Sequence, residues 1–137
     1  LHFQNSLLKN CRENKGNLMR YVMCHTDLHG WNLIQSKNLI LIDWEGLKLA
    51  PVEADLFSFT GTFFFDYAWE DFMSIYQTTH KDYQINVEAM RFYRLRRRLE
   101  DIHEFVESIL FDKLTQDDMN QSLRYLKQEC ELLHVMC

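Results

Sequence analysis

Proline occurs once and glycine four times in the 137 residues. That scarcity excludes a collagen-like or low-complexity protein and favours helix with few tight turns. The four cysteines, Cys11, Cys24, Cys130 and Cys137, form no CxxC and keep no regular spacing; they are expected as free thiols in a reducing cytoplasm. Basic charge is also short, with 15 Lys and Arg against 20 Asp and Glu and a net charge of -5. A nucleic-acid partner held by bulk charge is not expected. The longest uncharged apolar run, Leu56 to Phe65, is too short to span a bilayer, so no membrane partner is expected. No basic segment followed by an apolar one opens the chain, so no secretory leader is visible. The first residue is Leu1 rather than Met, inside a stretch with helical character. The sequence is therefore expected to be a piece of a longer protein.

What remains is ample: 47% hydrophobic, 26% charged and 14% aromatic residues, enough for one sizeable core and too apolar for a disordered chain. Residues 3–20 read as a weakly periodic helix, with Gly16 as a plausible stop. Tyr21 to Cys24 is a short β-prone run that leads into a polar loop from His25 to Asn32. Leu33-Ile34-Gln35 and Leu39 to Ile42, separated by Ser36-Lys37-Asn38, carry a small β-hairpin signal. After Pro51 the pattern is helical: an apolar helix over 53–65, a second from Trp69 to Tyr76 and a long one over 86–110. The last of these carries the stripe Phe92, Leu95, Leu99, Ile102, Val106 and Ile109, spaced three and four apart. A final helix opens at Thr115, whose hydroxyl is placed to cap the N–H of Asp118. Its stripe is Met119, Leu123, Leu126, Cys130 and Leu133. With no repeat and no linker, residues 1–137 are expected to be one mainly helical α+β domain.

Polar residues concentrate between positions 24 and 45. Asn32 starts the first hairpin strand and Asp43 finishes the second, so a folded hairpin sets them side by side. An amide oxygen next to a carboxylate is a hard-oxygen site suited to Mg²⁺, a cation that keeps most of its water. Asp27, one loop-width away, is placed to accept a proton from a hydroxyl. A base followed by two metal ligands is the layout of a phosphoryl-transfer site.

The segment His25-Thr26-Asp27-Leu28-His29-Gly30-Trp31-Asn32 resembles the catalytic loop of kinase-like phosphotransferases, H-R-D-x-x-x-x-N in protein kinases. The continuation Leu41-Ile42-Asp43-Trp44-Glu45, then Pro51 and Asp55-Leu56, is similar to the aminoglycoside phosphotransferase and choline kinase group. Phe92-Tyr93-Arg94 and Leu99-Glu100-Asp101-Ile102 resemble a helix of the spectinomycin phosphotransferase-like branch. The resemblance runs from about position 20 to 105 and implies the helical C-terminal lobe of a protein-kinase-like fold. It implies ATP and Mg²⁺ as cofactors and the hydroxyl of a small molecule, aminoglycoside- or aminocyclitol-like, as acceptor. Asp27 would be the catalytic base, and Asn32 and Asp43 the metal ligands. His25 would brace the loop, Asp55 would accept its backbone N–H groups, and Ile34 and Ile42 would floor the adenine site. The family places glycine after the first His, whereas Thr26 stands here; because Thr resists positive φ, ordinary backbone angles are expected at this position.

The four glycines, at 16, 30, 46 and 61, are too scattered to cradle phosphates, and no strand-like run before position 24 carries a lysine. A nucleotide-clamping N-terminal lobe is therefore expected to be missing, and the fragment alone to be nearly inactive. Its lobe-facing surface is then open to that lobe or to a second copy as a homodimer. A non-catalytic, pseudokinase-like binding module and a choline-type kinase lobe are the alternatives.

Other clusters have simpler readings. His25, His29 and Cys24 lack a fourth partner for zinc. Arg91, Arg94, Arg96, Arg97 and Arg98 read as a solvated helix face with Arg96–Glu100 and Arg97–Asp101 pairs. Phe63, Phe64, Phe65, Tyr67, Trp69 and Phe72 read as core. Glu45, Glu53, Asp66, Glu70 and Asp71 read mostly as solvent-facing charge.

Overall fold

The computed structural model describes residues 20–60 and 69–136. The helix expected over 3–20 and the aromatics Phe63 to Tyr67 lie outside the described residues, Arg20 apart. The chain divides into two compact units, Leu1–Tyr93 and Arg94–Cys137.

In the first unit, β1 (Tyr21–Cys24) pairs antiparallel with β4 (Lys48–Pro51), with Met23 opposite Leu49 and Val22 opposite Ala50. Arg20 extends the ladder by accepting the Val52 N–H at 3.1 Å. The strand β4 was not expected from the sequence. Four residues are too few for a periodicity signal, and Lys48 and Pro51 are weak strand formers. Between these strands, β2 (Leu33–Gln35) and β3 (Leu39–Leu41) form the expected hairpin, with Ile34 opposite Ile40.

Helix α1 (Glu53–Leu56) is one turn long and tightens into a 3₁₀ turn over Phe57–Phe59. The single helix expected over 53–65 therefore stops early. Both the backbone N–H and the hydroxyl of Thr60 donate to the Phe57 carbonyl, at 3.1 and 2.6 Å, and close the turn. Helix α2 (Trp69–Thr79) follows, then α3 (Val87–Phe111), whose first two turns complete the unit.

Among its described residues, two buried clusters hold it together. Cys24, Ala50 and Ala54 pack with Val22 and Tyr93, and Leu56, Phe57 and Met90 pack with Val52, Trp69, Phe72, Tyr76, Ile85 and Tyr93. The core role expected for Trp69 and Phe72 is visible here: Phe72 stacks on Phe59, Trp69 and Tyr76, with centroids 4.3, 5.6 and 5.9 Å away.

Glu53 departs from the expectation of solvent-facing charge, being wholly buried at 0% exposure. Its Oε1 accepts the Tyr83 hydroxyl and the Asn86 N–H, the latter at 2.7 Å. Burial and this carboxylate raise the Tyr83 pKa. Asn86 in turn caps α3 through Oδ1, which accepts the Ala89 N–H at 3.0 Å. One buried carboxylate thereby fixes where the long helix begins.

The second unit is the rest of α3 and α4 (Gln116–Met136). The Thr115 hydroxyl accepts the Asp118 N–H at 3.2 Å, as the sequence implied. Arg96–Glu100 and Arg97–Asp101 pair at 2.7 and 2.8 Å along α3. Arg98 reaches Glu129 of α4 at 2.5 Å. The apolar stripe buries only its start: Phe92 and Leu95 are buried, whereas Leu99 and Val106 are exposed. No helix among the described residues is long and apolar enough to cross a membrane.

Candidate active site

The polar loop between β1 and β2 is built around Asp55. Its Oδ2 accepts the His25 N–H at 2.9 Å and its Oδ1 accepts the Thr26 N–H at 2.7 Å. Two consecutive amides on one carboxylate fix the start of the loop. His25 is buried, and its Nε2 donates to the Ile42 carbonyl at 2.7 Å. Its ring meets the edge of Trp44, with centroids 4.9 Å apart. That single donor sets the His25 tautomer and ties the loop to the second hairpin strand.

Thr26 contradicts the expectation of ordinary backbone angles, for its φ is 70°. A β-branched residue in the left-handed region costs about 1–3 kcal/mol. Here the cost is offset by fixed partners: the amide is on Asp55, and the hydroxyl donates to the Gly46 carbonyl at 2.9 Å. Side-chain hydrogen bonding overrides local preference, which no reading of Thr26 by itself could foresee.

Asp27 and Asn32 are brought together. Asn32 is buried, and its Nδ2 donates to the Asp27 carbonyl at 2.9 Å and to Asp27 Oδ2 at 3.3 Å. The same Oδ2 lies 3.3 Å from His29 Nε2, which also sits 3.4 Å from Asn32 Nδ2. One oxygen of Asp27 is thus held by two side chains of its own loop. His29, which the sequence offered only as part of an incomplete zinc set, is the residue that the motif alone did not single out. Its spacing, two residues after Asp27 and three before Asn32, was the available signal.

Asp43 is positioned through its neighbours. The Ile42 N–H donates to the Asn32 carbonyl at 3.0 Å, closing the hairpin beside Asn32. On the other side the Trp44 indole N–H donates to the Leu41 carbonyl at 2.8 Å. Between them Asp43 adopts φ 65°, which Asp tolerates better than most residues, and is solvent-exposed. Since Nδ2 of Asn32 is occupied by Asp27, the amide oxygen is the atom left for a cation. The donor set of one amide and one carboxylate fits a hard cation that keeps its water. Among the described residues no three His, Cys, Asp or Glu side chains cluster as a metal site.

Ile34 and Ile42 are 46% and 38% exposed. Ile40, which the sequence reading passed over, faces Ile34 across the hairpin and is equally exposed. Ile34 and Ile40, directly opposite in the hairpin, thus share one face of it, and Ile42, one residue past β3 and next to Asp43, is exposed as well.

Cys24, directly before the loop, is a structural residue. Its thiol donates to the Pro51 carbonyl at 3.4 Å. Burial, then the charge of Asp55, pushes its pKa up to about 12, so it is a poor nucleophile.

Against this geometry the comparisons are coherent. Two solved structures of spectinomycin phosphotransferase APH(9)-Ia, one in complex with ADP and spectinomycin and one bound to AMP, share the fold with TM-scores of 0.64 and 0.62. Identity is 23% and 24%, and each alignment covers 93% of this chain and 40% of that structure's chain. The chain therefore spans about two fifths of their length. No curated protein sequence matches it. The phosphotransferase enzyme family model matches residues 3–95, which contain Asp27, Asn32, Asp43 and Asp55. The chain belongs to that aminoglycoside phosphotransferase-type family of kinase-like phosphotransferases.

Proposed function

We propose that residues 1–137 are the C-terminal, catalytic-loop lobe of a cytoplasmic, ATP- and Mg²⁺-dependent phosphotransferase. Its acceptor is a hydroxyl of a small molecule of the aminoglycoside or aminocyclitol kind. The observation that carries this reading is the clamp on Asp27 Oδ2 by Asn32 and His29, in a loop whose Asn32 carbonyl closes the hairpin beside Asp43. The acceptor class rests on the spectinomycin and nucleotide complexes of the two structural neighbours.

In this mechanism Asp27 orients the acceptor hydroxyl and takes its proton as the oxygen–phosphorus bond forms and the bond to the departing ADP oxygen breaks. Asn32 and Asp43 would hold Mg²⁺, which when bound neutralises the charge of the nucleotide phosphates. Ile34, Ile40 and Ile42 offer the apolar surface for the adenine ring. Preorganisation is the main contribution of the chain: Asp55, His25 and Asn32 fix the loop before substrate arrives, so little reorganisation is needed in the transition state. The clamp on the outer phosphates belongs to a separate lobe, without which turnover by this chain is expected to be slight.

Titration of the 137-residue chain with ATP, with and without Mg²⁺, tests the reading. Metal-dependent nucleotide binding that Asp43→Asn abolishes supports it. Absence of binding at millimolar nucleotide overturns it in favour of a non-catalytic binding module.

A further inference from the structure

We propose that Thr26 is a positioning residue whose hydrogen bond to Gly46 ties the loop carrying Asp27 to the turn carrying Asp43. The role rests on the reading of those two aspartates given above. Thr26 precedes Asp27 directly, and Gly46 ends the 3₁₀ turn Trp44–Gly46 that follows Asp43. The bond from Thr26 Oγ1 to the Gly46 carbonyl, 2.9 Å long, therefore spans the base side and the cation side of the site.

Position 26 keeps a residue that its backbone disfavours. Glycine would accept φ 70° freely, yet it has no hydroxyl to reach across. Position 46 has the complementary property. A Cβ there would stand 2.8 Å from Thr26 Oγ1 and 3.1 Å from the His25 carbonyl oxygen, so close approach of the two loops requires glycine at 46. The strained residue and the bare one form a matched pair. Backbone strain of this kind persists only where surrounding contacts over-determine it. The contacts here are Asp55 on the amide and Gly46 on the hydroxyl. The hydrogen bonds from His25 Nε2 to the Ile42 carbonyl and from the Ile42 N–H to the Asn32 carbonyl lie before Asp43, and beyond it the His25 ring also meets the edge of Trp44. Thr26 secures the far side, so Asp43 is held between two fixed points.

Thr26→Gly relieves the strain and removes the tie, whereas Thr26→Ser keeps the hydroxyl. Both are compared with the native 137-residue chain by Mn²⁺ titration followed through water-proton relaxation, and by amide hydrogen exchange of residues 26–28 and 44–47. Thr26→Gly is expected to keep its melting temperature yet bind Mn²⁺ about fivefold more weakly, with exchange in both segments faster by a similar factor. Thr26→Ser is expected to stay within about twofold of the native chain on both measures. A purely structural residue would lose stability in step with binding and would gain nothing from the serine. Unchanged exchange and Mn²⁺ affinity in Thr26→Gly overturn the proposal. Failure of the native chain to bind Mn²⁺ overturns the cation reading instead, and the exchange of residues 44–47 then decides the tie by itself.

Discussion

The two units order themselves by different means. In Leu1–Tyr93 the bonds that matter join residues far apart in sequence: Asp55 to His25 and Thr26, His25 to Ile42, Glu53 to Tyr83 and Asn86. Among the described residues its strands have three or four residues, and Thr26 and Asp43 sit at positive φ. In Arg94–Cys137 two helices carry i, i+4 ion pairs and the interhelical Arg98–Glu129 pair, and among the described apolar residues only Leu95 is buried. The first unit spends stability on geometry; the second is regular and largely solvated. A site needs the former, because fixed dipoles stabilise charge only when they do not move.

The contrast is sharpest at Asp27, whose side chain is 39% exposed and contributes little packing. When the chain is complemented by a nucleotide-clamping lobe, Asp27→Ala is expected to lower transfer about 10²–10⁴-fold with the melting temperature unchanged. Steady-state turnover alongside far-UV circular dichroism checks both halves, and near-native turnover sinks the assignment.

Glu53→Ala should be the most damaging stability change in the first unit. It strips the half-buried Tyr83 hydroxyl and the buried Asn86 N–H of their acceptor. A loss of about 3 kcal/mol in urea unfolding is expected. Tyr83→Phe, which removes one of the two bonds, should cost about 1 kcal/mol. Gly46→Ala comes next, at about 1–3 kcal/mol, because the added methyl presses on Thr26 Oγ1 and the His25 carbonyl. Pairing it with Thr26→Ala should recover part of the loss, and the double-mutant cycle measures how much.

Most of the second unit and part of the first was legible in the sequence, for a physical reason. Periodicity reports which side of a helix faces a core, so α2, α3 and α4 were found with nearly correct ends, and Thr115 was found as a cap. It failed along α3 only where Leu99 and Val106 stand exposed. The loop motif singled out Asp27, Asn32 and Asp55, which the structure joins by hydrogen bonds within or onto one loop, and Asp43, next to the Ile42–Asn32 bond. What escaped were the strand β4, the early end of α1, the burial of Glu53, the left-handed Thr26 and the exposed pairing of Ile40 with Ile34. The early end of α1 turns on Thr60, three residues beyond Phe57; the others have no local pattern, because each is decided by a group 20 or more residues away or across a hairpin.

In the second unit, Arg98→Ala should cost about 1 kcal/mol, as expected for a partly exposed pair between helices. The smallest effect concerns Asp101. Burial, opposed by Arg97 and reinforced by Glu129 and Glu104, raises its pKa from 3.8 to about 6. The folded unit thus holds a proton between those two values that the unfolded chain releases. Its contribution to stability is fully present below the unfolded pKa and is lost as pH rises through about 6. Asp101→Asn mimics the protonated form and should flatten that slope. The variant should match the native chain at about pH 4 and equal or exceed it at about pH 7, despite the weakened bond to Arg97. Thermal melts across this range decide the matter. A native chain whose second unit gains stability as pH rises from 4 to 6 would mean that the Arg97 pair, not burial, governs Asp101, and the ion pairs of the helical unit would then contribute more than its solvated surface implies.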